Sequence, residues 1–325
     1  MAKLTISPNP HIKAKDTTKR IMIDVVIALL PATVVGAVFF GFYAFIIVAL
    51  SLISAVASEI VYLLIRGEKF SDIMKKFDFT SAVTGLLLGL NLPPTCPVYV
   101  PVLGAVFAVI VVKMLFGGTG KNFVNPAIAG RVFLLISFAE VMTTWSSPAF
   151  ASIKPSSLTT GATPLGSIIK GEYAVSVLDL FLGTGVSTGA IGETCKLALI
   201  VGYVYLLLRR VVDYKPLIYI GATGIVTVIL QGSFSAFLPS ILSGGLIFGA
   251  IYMATDYVTT PNTTTGNIIY FLLLGVLTAV LRHLKGTEVV SYCILFMNFF
   301  VPLIDRIIVA KPFGYKKPEK EVKNG

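Results

Sequence analysis

The residues best suited to chemistry sit in four short stretches. In TTGATPLG, Thr159 to Gly166, the Thr163 hydroxyl follows Gly161 and Ala162, which leave it sterically open, and precedes Pro164, which restricts the backbone. A hydroxyl presented in this way suits covalent modification by an external enzyme, although Thr160, Gly161 and Thr163 also make an ordinary turn. GGTGKNFVNPAIAGR, Gly117 to Arg131, carries Lys121, Asn122 and Asn125 on a Gly-rich turn, with Pro126 at a first helical position. Paired Asn side chains offer donors and acceptors that match the edge of a ring such as isoalloxazine; a capped helix start explains them equally well. Arg131 falls inside an apolar segment, where an unpaired charge is costly and a functional role is the default reading. GTGVSTGAIGET, Gly183 to Thr194, ends in Glu193 and Thr194 and leads straight into another apolar segment, whose free N–H groups could receive a phosphate. Asp24, Glu59, Asp78, Asp256 and Asp305 lie in or near apolar segments. Asp256, at the break in MATDYVTT, leads the ion-path candidates, followed by Asp24 and Asp305, which charge pairing with Arg20 and Arg306 also explains.

Several chemistries are excluded. The P-loop pattern fails twice, since Asn122 replaces the hydroxyl residue after Gly120-Lys121 and Leu115 sits where the first Gly belongs. Thr188 replaces the third Gly of a dinucleotide fingerprint. Cys96, Cys195 and Cys293 are too far apart for a cluster held by this chain alone. His11 and His283 form no facing pair for a haem.

The elements that must position these residues are membrane helices. Of 325 residues 55% are hydrophobic and 13% charged, and the mean hydropathy is +0.87. Soluble domains carry roughly 25% charged residues. Apolar runs predict spans near 21–40, 43–65, 79–92, 98–116, 126–141, 193–209, 215–231, 236–254, 266–282 and 289–309. The N-terminal MAKLTISPNPHIKAKDTTKR has no apolar core and no small-residue cleavage site, so it reads as a basic tail (1–20), not a signal peptide. With that tail cytoplasmic, twenty basic residues fall on the inner side and four, Lys154, Lys170, Arg282 and Lys285, on the outer side. Both termini, including the basic tail 310–325, are therefore expected in the cytoplasm and the 142–192 loop outside. The net charge of +10 follows from this topology and does not imply nucleic acid. Gly-studded runs breaking at Pro-containing turns, Gly85–Pro97 and Gly244–Asn262, predict two five-span repeats, 21–141 and 193–309, inverted in the membrane.

Taken together, SPNPHIK, GGTGKNFVNPAIAGRVF, TTGATPL, GAIGET and MATDYVTTP make the chain resemble a family of membrane subunits. That family includes the D-type subunit of Rnf complexes, the ion-translocating ferredoxin:NAD⁺ oxidoreductases, and, less closely, the B-type subunit of the sodium-pumping NADH:quinone reductases. The resemblance covers essentially the whole chain. It implies an all-α integral membrane fold of about ten transmembrane helices, two inverted five-helix repeats resembling ammonium and urea channels, in the cytoplasmic (inner) membrane. It implies FMN joined through its phosphate to Thr163 by a separate flavin transferase; Thr160 stands where relatives usually have Ser. It also implies a non-covalent riboflavin, placed here near Asn122, Asn125 and the third-span turn. Electrons would pass from a flavin-carrying extracytoplasmic partner subunit to Thr163 and on to the inner flavin, coupled to Na⁺ or H⁺ transport, with no catalysis by this chain alone. Two alternatives are a channel or secondary transporter, suggested by the inverted repeat, and the quinone-reductase subunit, which is longer at its N-terminus.

Overall fold

A computed structural model describes residues 17–146, 164–169, 171, 175–184, 188–285 and 287–309. The helices α1 (Thr18–Phe40) and α2 (Phe42–Ile65) meet at Gly41, and the short α3 (Phe70–Lys76) precedes α4 (Thr80–Leu90). Next, α5 (Tyr99–Val106) runs into a π-helical stretch, Phe107–Met114, followed by α6 (Pro126–Ser137) and α7 (Ala139–Thr143). Two short helices, α8 (Pro164–Ile169) and α9 (Val177–Leu182), come before α10 (Lys196–Leu208) and α11 (Pro216–Gln231). A 3₁₀ turn opens α12 (Phe237–Leu242), and α13 (Leu246–Phe248) continues as a second π-helical stretch, Gly249–Met253. Finally come α14 (Thr264–Lys285) and α15 (Val290–Ile307). Among the described residues the one extended pairing is an isolated bridge, Ser146 with Gly189.

Every predicted span contains helix, because apolar side chains leave a backbone in lipid no partner but itself. Among the described residues four helices, α1, α2, α14 and α15, are long and apolar enough to cross a bilayer, and α12 with α13 makes a fifth if the bent pair is one span. The helices α4, α6, α10 and α11, and α5 with its π-helical continuation, are shorter. The structure departs from the predicted spans in three places. The eighth span is bent by 67° between α12 and α13, where Gly244 adopts φ 63°, well before the break read at MATDYVTT. The fifth ends at Ser137, because Phe138 leaves helical geometry. The interval after α2 holds α3, and α8 and α9 lie within the 142–192 loop.

Small residues let the helices close on one another. A Cβ on Gly85 of α4 would lie 2.7 Å from the Ala55 Cβ of α2, so these two helices pack backbone to backbone. Gly202 of α10 sits closer still to α1, where an added Cβ would lie 2.1 Å from the Ala28 carbonyl oxygen. The hydroxyl of Tyr252 also reaches this contact, donating to Leu199 O at 3.0 Å. The core therefore runs between the α1–α7 and α10–α15 parts of the chain.

Candidate functional site

A cavity of about 380 Å³ opens at the α3 end of the bundle, between α1, α4, the start of α6, the end of α10 and the segment after Met253. Its volume lies within the roughly 300–1,000 Å³ common for small-molecule sites. Val83, Leu87, Leu206 and Ile251 give it apolar walls; Asn122, Asn125 and Asp256 bring amides and a carboxylate to the same space. Such a lining suits a flat aromatic ligand with one polar edge.

The two Asn residues are not equally free to meet a ligand. Asn125 caps α6: its Oδ1 accepts from the Ala127 and Ile128 amides at 3.0 and 3.3 Å, and its Nδ2 donates to Met253 O at 3.0 Å. The capped helix start is thus present alongside the cavity lining. Asn122 donates from Nδ2 to Val124 O at 3.0 Å. Burial raises the pKa of Asp256, against hydrogen bonds from Thr259, the Val258 amide and Asn122. Lys121 is exposed, its stem lies on Gly117, and it does not line the cavity.

One cavity wall carries a buried charge, Lys113, inside the predicted span 98–116. Lys113 donates to Glu59 Oε1 at 3.0 Å and to Ser81 Oγ at 2.9 Å, and also reaches the Thr80 hydroxyl. Thr80 and Thr119 donate in turn to Asp78 at 2.6 and 2.8 Å. Burial would raise the Asp78 pKa, but these hydrogen bonds and the Lys113 charge outweigh it and hold the carboxyl below its ordinary range.

A second group lies away from this cavity. Arg131 Nη1 donates to Glu193 Oε1 at 3.0 Å and to Asn91 Oδ1 at the break after α4. Lys196 donates to the Glu193 carbonyl. Arg131 and Glu193 are each 3% exposed, so this pair is shut off from solvent. The Glu193 carboxylate rests against Gly245, where an added Cβ would come within 2.3 Å of Oε1. On the other side of the same bend, Glu288 accepts from the Gly245 amide and from Arg282, each at 3.0 Å. Arg282 also donates to the carbonyls of Ser240 and Ser243 at 3.0 and 3.3 Å. Thr194 turns inward to Ala190 O at 3.0 Å.

The remaining predicted residues separate. Thr160, Gly161, Ala162 and Thr163 lie outside the described residues; the chain is described again from Pro164, the first residue of α8. That helix buries Pro164, Leu165 and Ile168, packs on α12, and is tied to α11 by Gln231, which donates to Ile168 O and Ile169 O at 3.1 and 3.3 Å. Asp24 is charge-paired as the alternative reading had it, but across helices: Arg209, just past the end of α10, binds it at 3.1 Å and the Tyr205 hydroxyl at 2.8 Å. Asp305 accepts from the Asn262 backbone and side chain at 2.9 and 2.8 Å. Of the three ion-path candidates, Asp256 lines the cavity. Glu288, Gln231 and Lys196 went unread, as did the partnership of Lys113 with Glu59. These pairs join distant positions, or residues beside ordinary loop cations, and leave no local spacing to read.

Residues 5–314 match the model of the NQR2, RnfD, RnfE family, and the chain belongs to that family. It is 40% identical over 328 residues, covering 98% of each chain, to the D-type subunit of the Na(+)-translocating ferredoxin:NAD(+) oxidoreductase complex of Acetobacterium woodii. It is 36% identical to the D-type subunit of the proton-translocating ferredoxin:NAD(+) oxidoreductase complex of Clostridium ljungdahlii, covering 96% of this chain and 97% of that one. Identity to the D-type subunit of the ion-translocating oxidoreductase complex of Alcanivorax borkumensis is 32%, covering 98% of both. With its long apolar helices, the chain is a multi-pass membrane protein.

Proposed function

We propose that this chain is the electron-carrying membrane subunit of a multisubunit ferredoxin:NAD⁺ oxidoreductase that translocates Na⁺ or H⁺. Family membership over nearly the full length carries the reading, and relatives named for Na⁺ and for protons leave both ions in it. Thr163 is the attachment point for FMN, installed by a flavin transferase; Gly161 and Ala162 are the small residues before it in the sequence, and Thr160 keeps a hydroxyl where relatives usually have Ser. It stands one residue before α8, and the anchoring of α8 by Gln231 and α12 favours presentation to a flavin-carrying partner subunit. A non-covalent riboflavin is assigned to the 380 Å³ cavity, with Asn122 and Asp256 at its polar edge. Bound flavins supply the redox chemistry; the chain orients them and excludes water.

The architecture in this reading is ten spans in two inverted halves, 21–141 and 193–309, of the ammonium- and urea-channel kind. Both termini are cytoplasmic and 142–192 is extracytoplasmic. Three observations support it. The first helices of the two halves, α1 and α10, pack together. The helix α14 and the π-helical continuation of α5 each end near a buried cation, Arg282 or Lys113, paired with a Glu. Each cation reaches back to the third, interrupted element of its own half.

Co-expressed with the flavin transferase, the parent chain is expected to give a flavin-fluorescent band on a denaturing gel, and Thr163→Ala a dark one. A dark parent band, with the transferase active on a known acceptor, would overturn the covalent flavin. Gln231→Ala is expected to slow labelling about fivefold, as loss of roughly 1 kcal/mol of hydrogen bonding should. Equal labelling rates would show that α8 anchoring does not present the site.

A further inference from the structure

The short helix α3 carries two unlike faces that the redox reading leaves unused. Ile73 is buried against the protein, while Phe70 and Met74, one turn apart, are 57% and 48% exposed. Ser71, Asp72 and Lys75 are exposed on the opposite arc. The helix follows four residues after the C-terminal end of α2 and packs on it; at that end Ile65 is 80% exposed, on a helix long enough to cross the bilayer. Around it stand Arg66, Lys69, Lys75 and Lys76. Glu68 takes up part of this charge, lying 3.5 Å from Lys76, and Asp72 offsets another part. Lys19 adds a further cation beside the α3–α4 turn, its Nζ 5.5 Å from the Phe79 ring centroid.

We propose that α3 is an interfacial anchor whose lysines bind the headgroups of anionic lipids, with Phe70 and Met74 sunk among the acyl chains. An amphipathic helix with a basic polar face lies in the membrane plane, held by apolar burial together with attraction to anionic lipid. Charge separates this partner from zwitterionic lipid, since each basic residue near an anionic surface adds about fivefold to binding. Continuity with the exposed apolar end of α2 separates it from a soluble acidic partner, which would leave Phe70 and Met74 in water.

The full-length chain in nanodiscs tests this directly. Trp145→Phe removes its single tryptophan; Phe70→Trp, Met74→Trp and Ser71→Trp are then introduced one at a time. Brominated phosphatidylcholine is expected to quench fluorescence at positions 70 and 74 and to spare position 71. In native mass spectrometry, phosphatidylglycerol retained over phosphatidylcholine is expected to fall about fivefold for each of Lys69→Gln, Lys75→Gln and Lys76→Gln. Quenching equal at all three positions, or absent at 70 and 74, overturns the placement. Equal retention of the two lipids by the parent chain overturns the charge recognition. Loss of co-purifying subunits from the triple Gln variant, with lipid retention unchanged, would show a protein-docking face instead.

Discussion

Arg131→Leu is expected to destabilise the folded chain by about 3–5 kcal/mol, because it strands the Glu193 carboxylate in a buried site. Arg131 donates to both Glu193 and Asn91, so the same change also frees the side chain at the break after α4. The check is thermal unfolding in detergent, read by a size-exclusion profile after heating. A second variant separates charge from packing: adding Glu193→Gln to Arg131→Leu removes the stranded charge and is expected to recover part of the loss. If the single and double variants melted together, the buried ion pair would not be what holds this junction. If Arg131→Leu were neutral, Lys196, which donates to the Glu193 backbone, would have to swing its charge onto the carboxylate.

Gly244→Ala is expected to be at least as severe. Gly244 has φ 63°, and a Cβ there would stand 1.8 Å from Glu288 Oε2. Glu288 cannot move aside cheaply, because it also holds the Gly245 and Val290 amides and the Arg282 guanidinium. Gly67 is the natural control: its φ is 87°, but nothing lies within 4 Å of its added Cβ. Gly67→Ala therefore carries only the left-handed backbone penalty, about 1–2 kcal/mol. Gly244→Ala adds disruption of a buried ion pair, about 3–5 kcal/mol more. Comparing the two melting temperatures isolates that second contribution. Equal shifts would mean that Glu288 has room the static packing does not show.

Much of this was legible in the sequence, for reasons particular residues make plain. Apolar runs located the helical segments because a helix in lipid must satisfy its own backbone. Pro93 and Pro94 marked the break after α4, and Asn125 before Pro126 marked the cap of α6. Arg131 drew notice as a cation in an apolar run, and its partner Glu193 drew notice separately; nothing local linked them. The bend at Gly244 was hidden, because Ser-Gly-Gly is unremarkable in a membrane helix and the Glu288 that fixes it lies 43 positions away from Gly245, the residue whose amide it holds. Lys113 and Arg282 count with the basic residues that set orientation, because each falls near the end of its apolar run. The short α3 escaped notice because seven residues are too few for helical periodicity to stand out.

The two π-helical stretches, Phe107–Met114 and Gly249–Met253, bear on how this sequence tolerates length changes. A π-helical turn closes its hydrogen bonds one residue later than an α-turn, so it stores a residue of slack. One residue removed there can be absorbed by tightening to α-helix, leaving the flanking segments in phase. A deletion inside a regular helix such as α4 has no such reserve: every side chain beyond it swings by about 100° around the axis. The first stretch carries Lys113 and the second ends at Met253, just before the turn bearing Asp256. Two of the segments that line the cavity are thus aimed by stretches whose phase is adjustable, while α4, which lines it too, has no such reserve.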